Sequence, residues 1–407
     1  MNIIYLCQYF LPEPAAPSAR LYDLSNAWVH AGHKVTVLTG MPNHPTGVVP
    51  ERYRGRLIAR ESVDGVTVLR NWLYATPNQG FFKKTLSHLS FMISAVAFGL
   101  PRLGKADVLI VSSPTFLSVF SALVISWFRN IPFVFEVRDL WPAVFVDLGV
   151  ITNPILVRFL EFWEMFLYRR AGLVVTVTES FRRLLIERGI SSQKVVTISN
   201  GANLDFFSVG ARDNVVRSEH DLGDRFVVSY LGAHGISHGV DTVLRAAEIL
   251  KHRKDIVFLL AGEGAMKREL LALKESMVID NVFMLGAQPK RRMPDFYHAS
   301  DVCLVPLRDV PLFETFVPSK MFEIMACGVP IVASVRGEAR AILARSGAAR
   351  LVTPENASAL AQAIEWMESH PRERERMGVA GREFVCEHYD RGKMASQYAQ
   401  VLADIAK

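Results

Sequence analysis

The sequence lacks several features that define large classes of protein. Its four cysteines show no C-x-x-C spacing, and three of them lie in apolar segments, which indicates buried, reduced thiols rather than a disulfide framework or a zinc site. No apolar run reaches the roughly 18 residues that a membrane-spanning helix needs. The first residues carry no cationic segment, so we expect no secretory signal peptide and predict that residues 3–6 form a strand.

Length and composition indicate a folded protein of two domains. A chain of 407 residues exceeds what one hydrophobic core usually organises, and a hydrophobic content of 50% argues against disorder. All of the net charge of +6 lies in the first half, where residues 1–210 hold 20 Lys and Arg against 14 Asp and Glu. A basic half suits an anionic surface or substrate, although such a charge is also common on proteins that bind neither. We expect no nucleic-acid partner.

Strand and helix patterns alternate along the whole chain, which is typical of α/β proteins with doubly wound parallel sheets. A polar stretch without periodicity, residues 201–224, separates two such series. We predict an N-terminal Rossmann-like domain over residues 1–203 and a second over 204–384, with the helix 385–407 packing back on the first. Open parallel sheets bind ligands at the carboxyl ends of their strands, so a cleft between the two domains is expected.

Two apolar stretches fall short of a membrane span. Residues 86–101 follow the run Phe81, Phe82, Lys83 and Lys84, and we interpret them as an interfacial helix with aromatic side chains, including Phe91, near cationic flanks. A buried core helix is the alternative. Residues 116–128 form a second such stretch, for which we predict a core helix, with an interfacial helix as the alternative.

A glycine-rich turn connects a strand to a helix at residues 230–241. Glycines such as Gly235 allow backbone amides to approach an anion, and the start of the following helix favours negative charge. His238 lies in the same turn and could face a diphosphate. Such turns also serve simply to reverse the chain.

The segment 316–330 predicts a well-bounded helix. Pro318 suits the first turn, and Gly328 followed by Pro330 ends it. The first turn brings free N–H groups, Ser319 and Lys320 together, which suits a diphosphate, and Glu323 lies one turn deeper on the same face as Ser319. That position suits binding of the hydroxyl pair of a ribose. The alternative is that Lys320 and Glu323 are ordinary charged side chains in contact with solvent.

Two further motifs follow strands of the first half. Arg138 and Asp139 come directly after the apolar run 133–137, where such sheets place ligands, although a structural salt bridge is the alternative. Residues 198–201, which include Asn200, indicate a turn.

Together these residues resemble the glycosyltransferases of family 4, which have the GT-B fold of two Rossmann-like domains that face a central cleft. The motifs that carry the resemblance are Gly32-His33-Lys34-Val35, Ile198-Ser199-Asn200-Gly201, Ala261-Gly262-Glu263-Gly264 and Glu323-Ile324-Met325-Ala326-Cys327-Gly328-Val329-Pro330. Residues 42–45, 139–142 and 318–320 are similar to the subgroup that builds bacterial surface polysaccharides, including the N-acetyl-L-fucosamine transferases of O-antigen assembly.

The resemblance implies a nucleotide-sugar donor in the C-terminal domain, an acceptor in the N-terminal domain, retention of configuration and no metal or other cofactor. It implies that Glu323 holds the ribose, that Pro318, Ser319 and Lys320 hold the phosphates, and that Ala287 and Gln288 lie beside the base. Gly262 and Gly264 would shape the adjacent loop. The acceptor side of the cleft would hold Pro14, Arg20, Asn43, His44 and Asn200.

Three departures from the family pattern stand in the sequence. The family has two glutamates eight residues apart, but the eighth residue before Glu323 is Thr315, and the nearest acid is Glu314. Ala233 and His238 stand where the family places Arg and Lys, so Lys320, helped by helix N-termini and Arg308, is expected to supply the positive charge. The N-terminal glycine turn is replaced by residues 15–18.

The sequence thus predicts a transferase that moves an N-acetylated or 6-deoxy hexosamine from a UDP-sugar to a polyprenyl-diphosphate-linked acceptor, at the inner face of the bacterial cytoplasmic membrane. Lys320, Arg138, Asp139 and Glu314 are the predicted catalytic residues. A nucleotide-sugar 2-epimerase and a non-catalytic nucleotide-sugar-binding subunit are the alternatives.

Overall fold

The computed structural model describes residues 1–13, 16–44, 46–77, 81–113 and 115–406. The chain forms two compact units, Met1–Ser199 together with Arg391–Lys407, and Asn200–Asp390. The first boundary lies a few residues before the predicted 203/204. The second lies after the predicted start of the terminal helix, because residues 385–390 still belong to the second unit.

The first unit is built on a sheet of eight strands. Their order is β3-β4-β2-β1-β5-β6-β7-β8, and all neighbours are parallel except the edge pair β3 and β4. The central strands are buried along their whole length, as expected for a parallel sheet that is covered on both faces. The strands are β1 Asn2–Leu6, β2 Lys34–Gly40, β3 Ile58–Val63, β4 Val66–Asn71, β5 Val108–Ser112, β6 Phe133–Val137, β7 Leu173–Thr176 and β8 Val195–Thr197.

Helices connect these strands as the alternating pattern predicts. Asn153 and Thr178 begin two of them as N-caps, because each side chain accepts hydrogen bonds from backbone amides of the first turn. The helices of this part of the chain are α1 Ala16–His30, α2 Phe81–Ser94, α3 Ser118–Arg129, α4 Ala143–Asp147, α5 Pro154–Arg170 and α6 Glu179–Glu187.

The predicted interfacial helix differs from the observed one. The regular helix α2 ends at Ser94, and residues Ala95–Gly99 and Leu100–Arg102 continue it as a π turn and a 3-10 turn. Phe91, which was expected near a membrane surface, is fully buried, whereas Phe82 is exposed. The α3 helix is largely buried as predicted, but Trp127 at its end is 76% exposed.

The second unit is built on a six-stranded parallel sheet of order β11-β10-β9-β12-β13-β14. Its core lies between the sheet and the helices α8 and α13, and contains fully buried residues such as Val243, Phe258 and Ile364. The elements are α7 Val215–Glu219, β9 Phe226–Leu231, α8 Val240–Ile249, β10 Ile256–Ala261, α9 Lys267–Met277, β11 Val282–Leu285, α10 Met293–His298, β12 Val302–Pro306, α11 Lys320–Ala326, β13 Ile331–Ser334, α12 Gly337–Ser346, β14 Ala349–Val352, α13 Ala357–Ser369 and α14 Pro371–His388.

The last helix, α15 Arg391–Ile405, returns to the first unit. Trp28 of α1 donates a hydrogen bond from its indole Nε1 to the carbonyl oxygen of Ala395 at 2.8 Å. Its ring also meets that of Tyr398 edge-on, with 5.5 Å between the centroids. A buried ion pair between Asp23 and Arg391 adds a polar contact, so α1 and α15 are joined by both packing and charge.

Among the helices that the structure describes, none combines the length and the apolar character needed to cross a membrane.

Candidate active site

The carboxyl end of β9 and the start of α11 meet in the second unit. Lys320, the first residue of α11, places its Nζ 3.8 Å from the centroid of the Tyr230 ring. The chain turns at Gly232 directly after the strand, and a Cβ atom there would lie 2.5 Å from the same Nζ. Glycine is therefore required for the ammonium group to approach the turn this closely.

The ammonium group of Lys320 has an unusual electrostatic environment. Its Nζ atom is inaccessible to solvent and has no hydrogen-bond partner among the described residues. Burial lowers the pKa of Lys320 to about 7, although Glu323 and Cys303 act in the opposite direction. A buried cation is costly unless an anion compensates it, so this position is suited to bind a negatively charged ligand.

Two histidines of the glycine-rich turn lie near this lysine. His234 is fully buried, and neither of its ring nitrogens has a partner among the described residues. Burial, together with the charges of Lys267 and Lys320, lowers its pKa to about 4. Burial is also the main cause that lowers the pKa of His238, the histidine predicted to face the diphosphate, to about 3. Both imidazoles are therefore neutral at pH 7, and each can donate one hydrogen bond to a ligand.

Sequence reasoning named His238 and missed His234. The available signal was the position of His234 between Gly232 and Gly235. A large side chain in a glycine-rich turn needs space around it, and this marks His234 as a candidate site residue. The rings of both histidines lie beside Tyr230, with centroid distances of 5.9 Å for His234 and 6.3 Å for His238.

A second glycine turn supports the first. A Cβ atom at Gly262 would lie 1.8 Å from the carbonyl oxygen of Gly232, and one at Gly264 would lie 2.5 Å from that of His234. Backbone hydrogen bonds join the two turns, from His234 to Glu263 at 2.9 Å and from Met266 to His234 at 2.9 Å. The two glycines therefore set the position of the 232–235 backbone through direct packing.

Glu323 lies one turn after Lys320 on α11. The Tyr297 hydroxyl of α10 donates a hydrogen bond of 3.1 Å to Glu323 Oε2, which fixes the orientation of the carboxylate. Sequence reasoning predicted Glu323 but not Tyr297, since nothing in the sequence links two residues that are 26 positions apart. A carboxylate oriented in this way can accept hydrogen bonds from a pair of sugar hydroxyls.

The other predicted residues of the second unit have different environments. Pro318 and Ser319 are half-buried directly before α11, whose first regular residue is Lys320. Ala287 and Gln288 follow β11, and the Gln288 side chain donates a hydrogen bond to the Gly286 carbonyl oxygen at 3.3 Å. Gly235 precedes the short turn Ile236–His238.

Glu314 and Arg308 lie in different environments, and the catalytic role of Glu314 stays a prediction. Glu314 is exposed in the turn Pro311–Thr315, and its backbone packs closely against Gly337. The Arg308 guanidinium pairs with Asp241 at 2.8 Å and with Glu355 at 2.7 Å. Its charge is thus already compensated, whereas the Nζ atom of Lys320 has no hydrogen-bond partner among the described residues.

In the first unit, the predicted pair Arg138 and Asp139 follows β6. The Ser113 hydroxyl at the end of β5 accepts hydrogen bonds from both backbone amides, at 2.9 Å and 3.4 Å. The Nε atom of Arg138 is buried and has no partner among the described residues. Burial raises the pKa of Asp139, while the charge of Arg138 lowers it. The arrangement leaves donor capacity on Arg138 for a ligand of this unit.

Asn43 and His44 are held by a residue that sequence reasoning did not single out. The Oε1 atom of buried Glu13 accepts hydrogen bonds from both backbone amides, each of 2.9 Å. Burial raises the pKa of Glu13 to about 7, against the lowering effect of these amides. The rings of His44 and Tyr9 meet edge-on at 5.3 Å. Pro14, predicted beside them, lies outside the described residues.

Arg20 is part of the core and does not line an open surface. Its Nε donates to Glu136 at 3.0 Å, and its terminal nitrogens donate to the carbonyl oxygens of Ile198 and Ser199. Arg20 therefore holds the end of the first unit through these contacts, and its contact with the acceptor stays a prediction. Asn200 is buried immediately after this point.

Within the described ranges, no group of three or more His, Cys, Asp or Glu side chains is arranged so that it could hold a metal ion.

The chain thus folds into two tandem Rossmann-like units. The second unit places a buried lysine side chain beside two glycine turns. Residues 16–201 match the sequence model of the glycosyl transferase 4-like domain, and residues 212–384 match that of the glycosyl transferases group 1. The chain belongs to the glycosyltransferases of GT-B fold, with one of these domains in each unit.

Solved structures with this fold match the chain over nearly its whole length. The sucrose-phosphate synthase of Thermosynechococcus elongatus has a TM-score of 0.76 at 20% identity, and covers 99% of this chain and 98% of its own. The HepE protein of Anabaena, solved in complex with UDP-glucose, has a TM-score of 0.74 at 16% identity, and covers 99% and 100%. At these identities the likeness shows the fold.

Curated relatives match shorter stretches. A GDP-mannose-dependent phosphatidylinositol monomannoside mannosyltransferase of Mycolicibacterium smegmatis is 26% identical over 192 residues, which cover 46% of this chain and 50% of the relative. A D-inositol 3-phosphate glycosyltransferase of Segniliparus rotundus is 31% identical over 152 residues, 36% of this chain and 32% of the relative. In both cases the match spans half of the relative's length or less.

Proposed function

We propose that the protein is a retaining, metal-independent glycosyltransferase that takes its sugar from a nucleotide diphosphate donor bound by the second unit. The observation that carries the proposal is the buried ammonium of Lys320, which has no hydrogen-bond partner among the described residues and lies against the Gly232 turn. A diphosphate supplies the missing negative charge, and the neutral rings of His234 and His238 supply hydrogen-bond donors beside it.

The reaction proposed at this site begins at the bond between the sugar C1 and the diphosphate oxygen. As that bond breaks, negative charge accumulates on the diphosphate, and the Lys320 ammonium stabilises this charge more strongly in the transition state than in the ground state. The leaving phosphate takes the proton of the acceptor hydroxyl as the new bond forms on the same face of the sugar. Glu323, held by Tyr297, binds the ribose hydroxyls of the nucleotide.

We propose UDP as the nucleotide and an N-acetylated or 6-deoxy hexosamine, such as N-acetyl-L-fucosamine, as the sugar. The similarity of residues 42–45, 139–142 and 318–320 to transferases of O-antigen assembly supports the sugar class. The structural likeness to HepE, solved with UDP-glucose, supports the nucleotide.

The acceptor is proposed to be a polyprenyl-diphosphate-linked saccharide that the first unit binds at the inner face of the cytoplasmic membrane. Arg138, whose buried Nε has no partner in the described part of the chain, orients the acceptor together with Asp139. The excess of Lys and Arg in the first 210 residues, 20 against 14 acids, suits an anionic acceptor.

Substitution of Lys320 by alanine tests the proposed chemistry. Loss of one preorganised charge contact is expected to lower kcat by about 100-fold. The purified protein is incubated with UDP- and GDP-sugars and a polyprenyl-diphosphate-linked acceptor, and products are identified by mass spectrometry. Lys251→Ala, which removes an exposed lysine of the same unit, serves as the matched control and should retain full activity.

The same assay separates the alternatives. Near wild-type turnover of Lys320→Ala would contradict the role of this lysine. An epimerised sugar formed without acceptor would indicate a nucleotide-sugar 2-epimerase, and UDP binding without transfer to any acceptor would indicate a non-catalytic binding subunit.

A further inference from the structure

The first unit exposes apolar side chains on three neighbouring helices. On α2, Leu86, Leu89 and Ile93 are spaced so that they form one stripe along the helix, and all three are exposed. A groove lined by Met92, Ile93 and Val96 on one side and by Phe120 and Val124 on the other runs between this helix and α3. The exposed stripe of α2 thus continues onto α3.

The α3 helix continues the apolar surface to its end. Phe120, Val124 and Trp127 recur at helical spacing on one side of α3, and Trp127 is 76% exposed. Phe128 follows it and is also exposed. The Trp163 ring of α5 lies edge-on to Phe120 at 5.4 Å, which joins α3 to its other neighbour.

The α5 helix carries the most exposed part of this surface. Ile155, Phe159 and Phe162 form a stripe along the N-terminal half of this 17-residue helix, and Ile155 is 79% exposed and Phe162 64%. Neighbouring exposed apolar side chains of this kind are typical of a surface that contacts a protein partner or a membrane. We call the combined surface of these stripes the outer face of α2, α3 and α5.

The charges on the three helices identify the kind of partner. Six basic residues, Lys83, Lys84, Arg129, Arg158, Arg169 and Arg170, stand against two acids, Glu161 and Glu164. Glu164 is buried and pairs with Arg188 at 2.6 Å, so Glu161 is the acid that remains at the surface of these helices. Apolar and aromatic stripes with basic neighbours match the interface of an anionic lipid bilayer, where rings enter the headgroup region and cations meet phosphates.

We propose that the outer face of α2, α3 and α5 docks the protein on an anionic lipid bilayer, with α5 as the main contact. The proposal rests on the proposed function insofar as a lipid-linked acceptor lies in that bilayer. It extends the contact beyond the predicted 86–101 segment, since α5 has no part in that segment and exposes two aromatic side chains, Phe159 and Phe162.

Vesicle co-sedimentation tests the docking face. The wild-type protein should sediment with vesicles of phosphatidylethanolamine containing about 30% phosphatidylglycerol, and binding should fall at high salt because screening weakens the charge term. The double variant Phe159→Ser, Phe162→Ser should lower the partition coefficient at least tenfold, since it removes two apolar side chains from the lipid contact. Circular dichroism checks that the variant is folded.

A matched control removes exposed apolar side chains elsewhere. Val278→Ser together with Val379→Ser changes two exposed residues of the second unit and should leave vesicle binding unchanged. Equal sedimentation of wild type and the α5 variant, or no sedimentation of wild type, overturns the docking face. A wild-type dimer without lipid, by light scattering, that becomes monomeric in the α5 variant overturns it in favour of an interface between protein chains.

Transfer to a detergent-dispersed acceptor by the wild-type protein reports on the chemistry separately. Vesicle binding without transfer would overturn the proposed function and leave the docking face, and transfer without vesicle binding would do the reverse.

Discussion

At the scale of single residues, the chemistry proposed for the second unit depends most on the buried ammonium of Lys320. It lies against Tyr230 and Gly232 and has no hydrogen-bond partner in the described part of the chain. Such a group is unfavourable in the free protein, and it becomes favourable when an anion arrives. Binding of an anionic donor would therefore offset the free energy that burial of the Lys320 ammonium costs.

The depressed pKa of Lys320 predicts how UDP affinity depends on pH. Because that pKa is about 7 in the free protein, and because the diphosphate binds the charged form and raises the pKa, affinity is full at low pH. It should fall as pH rises from 7 to 9, by up to about tenfold per unit. Calorimetric titration with UDP over this range is suitable, since a terminal phosphate with a pKa of roughly 6 is already ionised there.

Arginine at this position provides the comparison. A guanidinium stays charged throughout, so Lys320→Arg should bind UDP with little change in affinity between pH 7 and 9, even if its affinity is lower. A wild-type affinity that does not change over this range would show that Lys320 is not the titrating contact.

At the scale of elements, the glycine turns at the carboxyl ends of β9 and β10 pack directly against each other. They touch through backbone atoms, because a Cβ at Gly262 would lie 1.8 Å from the Gly232 carbonyl oxygen. The backbone of residues 232–238 thus depends on Gly262, which itself need not contact the donor.

Gly262→Ala should therefore impair donor binding without changing any charged group. The methyl group forces the two turns apart, and UDP affinity is expected to fall by at least about tenfold, the effect of displacing one or two good hydrogen bonds. Isothermal titration measures this, with Gly104→Ala as the control, where an added Cβ meets no atom within 4 Å. Unchanged UDP affinity in Gly262→Ala would show that the turns do not need this contact.

The pairing of α1 with α15 is the second feature at this scale. Trp28 is buried beneath α15, with its indole bonded to Ala395 and its ring against Tyr398. The last helix therefore contributes to the core of a unit from which it is distant in sequence.

Trp28→Ala should destabilise the first unit by about 3–5 kcal/mol, as is usual when a large buried aromatic side chain is removed. Native-state hydrogen exchange of the β1 and β5 amides reports on this unit by itself. Trp127→Ala, at a 76% exposed tryptophan, should change stability by no more than about 0.5 kcal/mol. Similar losses in the two variants would contradict the role of α15.

At the scale of the whole molecule, the chain divides into two units, and the groups proposed for the donor all lie in one of them. Lys320, His234, His238 and Glu323 belong to Asn200–Asp390, whereas Arg138 and Asp139 belong to the unit of Met1–Ser199. Ligand binding should therefore stabilise the two units unequally.

Hydrogen exchange with UDP tests this division of roles. At a UDP concentration of about 100 times the Kd, the second unit gains roughly 2.7 kcal/mol. The strongest protection is expected in the turn 232–238 and in α11, because both would contact the diphosphate. Protection that is strongest in β1, β5 or β6 would place the nucleotide in the first unit instead.

Local sequence patterns were sufficient to predict the architecture and the ends of α11. Alternating strand and helix patterns predicted two doubly wound sheets, and Pro318 and Gly328 bounded α11 to within a residue or two, because such signals act over a few neighbouring positions. Lys320, Glu323 and the glycine turns could be named for the same reason.

The pairing of side chains, by contrast, could not be predicted from local patterns. Arg308 is neutralised by Asp241 and Glu355, Arg20 turns into the core toward Glu136, and Tyr297 orients Glu323. The exposure of the apolar stripe of α5 likewise depends on how other elements of the chain pack around this helix. These outcomes arise from packing between residues far apart in the chain, and such packing leaves no periodic pattern in the sequence from which it could be predicted.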